Sequence, residues 1–188
     1  MILRALGVEL IHIDPASMLR PDELFQLFTE FCKTIQRRYP ERLGGSGYGP
    51  VVCQIALGGE SGWPADLLPR EEEKHWLVFD RRTSSALGIW MTNVDICESE
   101  KRGHLARVLF LPAEGDRPWL VPQLTGRMLI CWLRDEEEAR FIVSRVETDN
   151  GRGLFARLDF REEEPGLWVL DCEELENHPR PSGMEIVE

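Results

Sequence analysis

The order of elements predicts an α+β fold: a mostly antiparallel sheet with two helices on one face. Three features carry that expectation. Residues 24–35 hold one clear amphipathic helix. Most other apolar runs are short and alternate with polar residues, as half-buried strands do. The connections between successive runs are short enough for antiparallel neighbours. An antiparallel barrel capped by the first helix is the alternative, since strands of this kind can close on themselves.

The chain of 188 residues fits one domain, placed at 1–176, with a polar, proline-bearing flexible tail at 177–188. Its 43% hydrophobic and 29% charged composition supplies enough apolar surface for a folded core.

Residues 2–13 read as an opening strand ending at Asp14-Pro15. Pro21, Asp22 and Glu23 then start the first helix, because proline pre-sets the first turn and carboxylates complement the positive end of its dipole. Leu24, Phe25, Phe28, Phe31, Cys32 and Ile35 follow 3.6-residue spacing, and Pro40 stops the winding. After the glycine-rich segment Gly44–Gly49, residues 51–57 read as a strand. Strands follow at 75–80 and 86–96 around the polar turn Arg81-Arg82-Thr83-Ser84, and again at 105–111. That turn resembles a kinase target, but polarity at a hairpin turn explains it.

Residues 112–126 read as a loop carrying Trp119, and 128–133 as a strand buried on both faces. Asp135 and Glu138 have capping-box spacing, which predicts a second helix with Ala139, Ile142, Val143 and Val146 as its stripe. Asp149-Asn150-Gly151 reads as a turn, 154–160 as an alternating strand, and 167–171 as the last strand after Pro165-Gly166.

The charge of −11 is uneven: residues 95–188 hold 12 Lys+Arg against 21 Asp+Glu. Such a half repels phosphate backbones, which argues against general nucleic-acid binding. No apolar run approaches the length of a membrane span, and the first residues lack the pattern of a signal peptide. A cytoplasmic location and no membrane partner are the expectation. Cys32, Cys53, Cys97, Cys131 and Cys172 are odd in number and widely spaced, so they read as buried free thiols.

No motif commits the chain to a chemistry, and no cofactor, catalytic residue or metal site is assigned. The Gly44–Gly49 loop lacks the strand–loop–helix order and the Lys-Ser/Thr of a phosphate cradle. Arg37, Arg38 and Arg42 beside it are the candidate anion-binding residues. His12, two residues from Asp14, has the residue type of a general base, but His12, His75, His104 and His178 show no metal spacing. Asp80, Asp95, Glu98 and Glu100, or Asp66 with Glu72 and Lys74, have the residue types of a magnesium-dependent nuclease. Trp63 and Trp119, in expected loops beside prolines, are the candidate partner-binding residues, because tryptophan concentrates at interface centres.

The leading functional expectation is therefore a non-catalytic, regulatory protein-binding chain: an adaptor, inhibitor, immunity-type protein or chaperone. It would present an acidic surface to a protein partner with a basic one. The alternative is a metal-dependent hydrolase or nuclease acting on a phosphodiester.

Overall fold

A computed structural model describes residues 1–13, 23–44, 48–58, 72–112, 118–174 and 179–188. In chain order its elements are β1 (Ile2–Ala5), β2 (Val8–Ile13), α1 (Glu23–Arg38), α2 (Gly49–Gly58), β3 (Glu73–Asp80), β4 (Ser85–Cys97) and β5 (Glu100–Phe110). They continue with α3 (Leu120–Asp135), β6 (Phe141–Arg145), α4 (Asp149–Arg157), β7 (Arg161–Glu164), β8 (Leu167–Asp171) and β9 (Glu185–Val187). The strands form one nine-stranded sheet in the order β7-β8-β6-β5-β4-β3-β2-β1-β9. Every neighbouring pair is antiparallel except β5 and β6, which α3 joins as a parallel crossover.

The α+β class and the mostly antiparallel sheet are as expected. The sheet is open, with β7 and β9 at its edges, so the barrel alternative is wrong. The two helices expected on one face become, among the described residues, four α-helices on two faces. Phe28, Phe31 and Ile35 of α1 and Val52 and Ile55 of α2 pack on Ile13, Leu77, Ile89 and Leu109. On the other side, Leu129 and Trp132 of α3 and Leu154 and Phe155 of α4 pack on Leu10, Trp76, Trp90 and Leu105. Alternation along each central strand supplies one set of side chains to each layer.

Several local readings change. The opening strand is a hairpin, turning at Leu6 and Gly7 with φ of 49° and 83°. Two successive left-handed residues are what a two-residue hairpin turn requires. Residues 51–57 belong to α2, whose first turn carries Pro50. Residues 128–133 lie inside α3, buried on nearly every side, which erases helical periodicity from the sequence. The expected second helix is β6, in which Ile142 and Ser144 are buried while Arg145 is exposed. The expected turn and strand at 149–160 become α4, capped by the Thr148 hydroxyl, which accepts from Gly151 N–H. Residues 185–187, inside the stretch read as a tail, pair with β1 as β9.

All five cysteines are free; Cys97 is exposed and Cys53 half-buried, which corrects the reading of five buried thiols. Among the described residues no helix is long and apolar enough to cross a membrane.

Candidate active site

The parallel pair β5–β6 is the irregular place in the sheet. It holds register for only three residues, Arg102 with Phe141, Gly103 with Ile142 and His104 with Val143. Beyond His104, β5 runs on to Phe110 paired with β4 alone, and β6 runs on to Arg145 paired with β8 alone. The two strands thus part at their C-terminal ends and leave a wedge. Backbone groups of β5 that point away from β4, and those of β6 that point away from β8, have no strand partner there. In parallel sheets such C-terminal openings are where ligands bind.

Two further features face the same end of the sheet. The helix after β5, α3, begins at Trp119, whose side chain makes no capping hydrogen bond. The N–H groups of Leu120 and Val121 are therefore not closed off by a cap among the described residues, unlike those of α4, while Pro122 carries no N–H. Uncapped helix N-termini attract phosphate oxygens. Ser144, the first β6 residue beyond the last β5 pair, has a buried hydroxyl with no hydrogen-bond partner among the described residues. The indole N–H of Trp168, paired with Ser144 across β8, is in the same condition.

Where β5 leaves β6 it also carries a bulge. Thr92 pairs with Leu105 and Trp90 with Val108, so Ala106 and Arg107 together oppose Met91. A bulge of this kind re-aims a side chain. Val108 packs toward α3 and α4, while Leu109 packs toward α1 and α2. Arg107, two residues before Leu109, therefore points to the α1/α2 side.

A buried polar group lies on that side. The Tyr48 hydroxyl, at the start of α2, is hydrogen-bonded to His75 Nδ1 at 3.0 Å. His75 Nε2 then stands 3.7 Å from Glu73 Oε2. Burial pushes the His75 pKa down to about 3, and the positive charges of Arg107 and His12 push it the same way. Burial raises the Tyr48 phenol well above its ordinary value, and Arg107 partly opposes that rise. At neutral pH both rings are uncharged, and Arg107 is the cation whose field they share.

The residues singled out in the sequence are dispersed. Arg37 and Arg38 are exposed at the end of α1, while half-buried Arg42 donates to the Phe110 carbonyl at 3.3 Å, at the far end of β5. Trp119 is half-buried and packs on α4, with the Arg157 guanidinium 5.0 Å from its ring centre. Trp63 and Asp66 lie outside the described residues, as do 45–47 of the glycine loop. That loop leads into α2, a helix, where a strand was expected. His12 stacks edge-on against Trp76. Asp95 bonds Arg102 through two contacts of 3.0 and 2.7 Å, which holds its carboxyl below the usual range. Asp80 accepts from Arg82 N–H in the turn. Among the described residues, no three His, Cys, Asp or Glu side chains are grouped to hold a metal.

No protein-family model matches the sequence, and neither does any curated protein. Solved structures do match in shape. A putative ribosomal-protein-serine acetyltransferase from Vibrio cholerae aligns with a TM-score of 0.60 at 13% identity, over 91% of this chain and 97% of that one. The ribosomal-protein-S5-alanine acetyltransferase from Vibrio fischeri gives 0.56 at 10% identity, over 91% and 96%. An acetyltransferase of the GNAT family from Bacillus anthracis gives 0.53 at 9%, over 92% and 99%. The chain has the GNAT-like fold of these enzymes. That finding overturns the expectation of a non-catalytic, regulatory protein-binding chain, and equally its phosphodiester-hydrolase alternative.

Proposed function

We propose that this chain is an acetyltransferase that takes acetyl-CoA into the wedge between β5 and β6. The observation that carries the reading is the parting of two parallel strands beside a helix N-terminus that no side chain caps. The pantetheine arm of acetyl-CoA is an extended chain with two amides. Such a chain suits strand edges whose N–H and C=O groups have lost their partners, as in β-strand addition. The pyrophosphate suits the donors at the start of α3. The Ser144 hydroxyl, unpartnered among the described residues, adds a polar group on the β6 side of the wedge. The donor set thus fits the molecule.

In the reaction, an acceptor nitrogen attacks the thioester carbonyl, the C–N bond forms, and the C–S bond breaks. The acceptor loses a proton and the departing sulfur gains one. The chain's part is placement: the wedge holds the thioester, and the acceptor comes from the side where Arg107 and the buried Tyr48–His75 pair lie. Holding both reactants in one geometry supplies much of the acceleration such a transfer needs. The apolar Leu154 and Phe155 of α4 pack in the core of the opposite layer.

Thermal unfolding with and without acetyl-CoA tests this directly. A ligand at a hundred times its dissociation constant stabilises the folded chain by about 2.7 kcal/mol, and the accompanying assay is thiol release with a panel of amines. No shift with acetyl-CoA, together with no thiol released, would overturn the assignment.

A further inference from the structure

We infer that Arg107 is a specificity residue for the acceptor, and that the acceptor is an amine bearing a carboxylate. The inference rests on the acetyltransferase reading and adds to it the chemical class of the second substrate.

Four observations converge on Arg107. The bulge at Ala106–Arg107 turns it to the α1/α2 side, three residues beyond the last β5–β6 pair, in the part of β5 that borders the wedge. It is half-buried, and among the described residues its guanidinium makes no ion pair and no hydrogen bond. Of the other strand arginines, Arg4 is matched with Glu9, Arg102 with Asp95 and Arg161 with Glu174, and Arg145 is exposed; Arg140, just before β6, is matched with Asp171. In a chain of net charge −11, Arg107 and Arg42 are the half-buried arginines that no carboxylate matches among the described residues, and Arg42 is spent on a backbone carbonyl.

The two rings whose titration Arg107 affects carry no charge to neutralise it, and the nearby Glu73 carboxylate stands 3.7 Å from His75 Nε2. Tyr48 and His75 are buried rings bonded to each other, and both are uncharged at neutral pH. A planar guanidinium presents a fork of donors that matches a carboxylate's two oxygens. Arg42, bonded to the Phe110 carbonyl, places a second cation at the other end of the same stretch of β5. A positive wall on the acceptor side attracts an anionic acceptor and repels a polycationic one.

The test uses product analogues, so that it does not depend on knowing the natural acceptor. Binding of N-acetylated amino acids and of their C-terminal amides to the full chain, in the presence of CoA, is measured by calorimetry. The acids are expected to bind about tenfold to a hundredfold tighter than the matched amides, the range of one charge-assisted pair. Arg107→Gln should erase that preference without changing the affinity for CoA, and Arg107→Lys should restore part of it. Equal affinity for acids and amides, no binding of either, or a preference that survives in Arg107→Gln overturns the inference. Retained CoA binding in any of those outcomes leaves the acetyltransferase reading standing; loss of CoA binding by the unaltered chain removes that reading instead.

Discussion

Gly88 shows how little room the centre of the sheet leaves. A Cβ there would come within 2.5 Å of the Phe110 ring, which is held edge-on to Trp90 at 5.8 Å. Gly88→Ala is expected to cost about 1–3 kcal/mol, because the ring has no free volume to enter. Urea unfolding measures this, and an unchanged midpoint would show that Phe110 moves freely. His75 makes a second prediction. The unfolded chain takes up a proton on this residue below about pH 6.5, while the folded chain refuses it until about pH 3. Its contribution is therefore complete above pH 6.5 and drains away as the pH falls toward 3, at about 1.4 kcal/mol per unit. His75→Gln keeps a hydrogen-bond partner for the Tyr48 hydroxyl and should flatten that acid limb; an identical slope in both proteins would count against the buried neutral ring. Neither Gly88 nor His75 stands out in the sequence. Arg107 was equally hidden, because a bulge is a property of register between two strands and leaves no local mark.

A wet face made α1 legible and its lack hid α3, although a wet face alone did not make α4 or β6 legible. Helix α1 shows its stripe because Gln26, Glu30 and Arg37 face solvent while Phe28, Cys32 and Ile35 do not. Helix α3 is buried from Met128 through Leu133, so its sequence has no polar face to report the period. The run 51–57 failed for a related reason, since short apolar stretches fit strand and helix alike; Pro50 was the one signal for a helix start. Asp135 and Glu138 have the spacing of a capping box, yet Asp135 is spent on Arg134 and Arg180. The true cap lies further on, at Thr148. Thr148→Ala should destabilise the protein by about 1 kcal/mol, the usual cost of losing an N-cap acceptor, and Thr148→Asp should restore it. Chemical denaturation distinguishes the two, and equal stability of all three proteins would mean that α4 is held by Leu154 and Phe155 alone.

At the scale of the whole molecule, the wedge exists because one parallel pair interrupts an antiparallel sheet. No residue type announces it: the wedge follows from α3 crossing over and returning β6 in the same direction as β5. The same topology leaves two open edges, and the chain treats them differently. β7 is Arg161-Glu162-Glu163-Glu164, exposed throughout, and like charges along an edge discourage pairing with another chain. The other edge would be β1, were it not covered by β9 through Ile2–Val187, Leu3–Ile186 and Arg4–Glu185. Met184 and Ile186 also pack against the α3/α4 layer, so the final strand closes both an edge and a core boundary. Removing residues 179–188 exposes the backbone of β1 and uncovers Leu3, which is fully buried in the intact chain. The shortened protein should melt several degrees lower, as expected for the loss of one or two kcal/mol, and should self-associate with rising concentration. Light scattering and thermal unfolding report both. Because three strands, β4, β3 and β2, separate the wedge from β1, acetyl-CoA should still stabilise the shortened chain by the same amount; a lost response would mean that the terminal strand helps to shape the site.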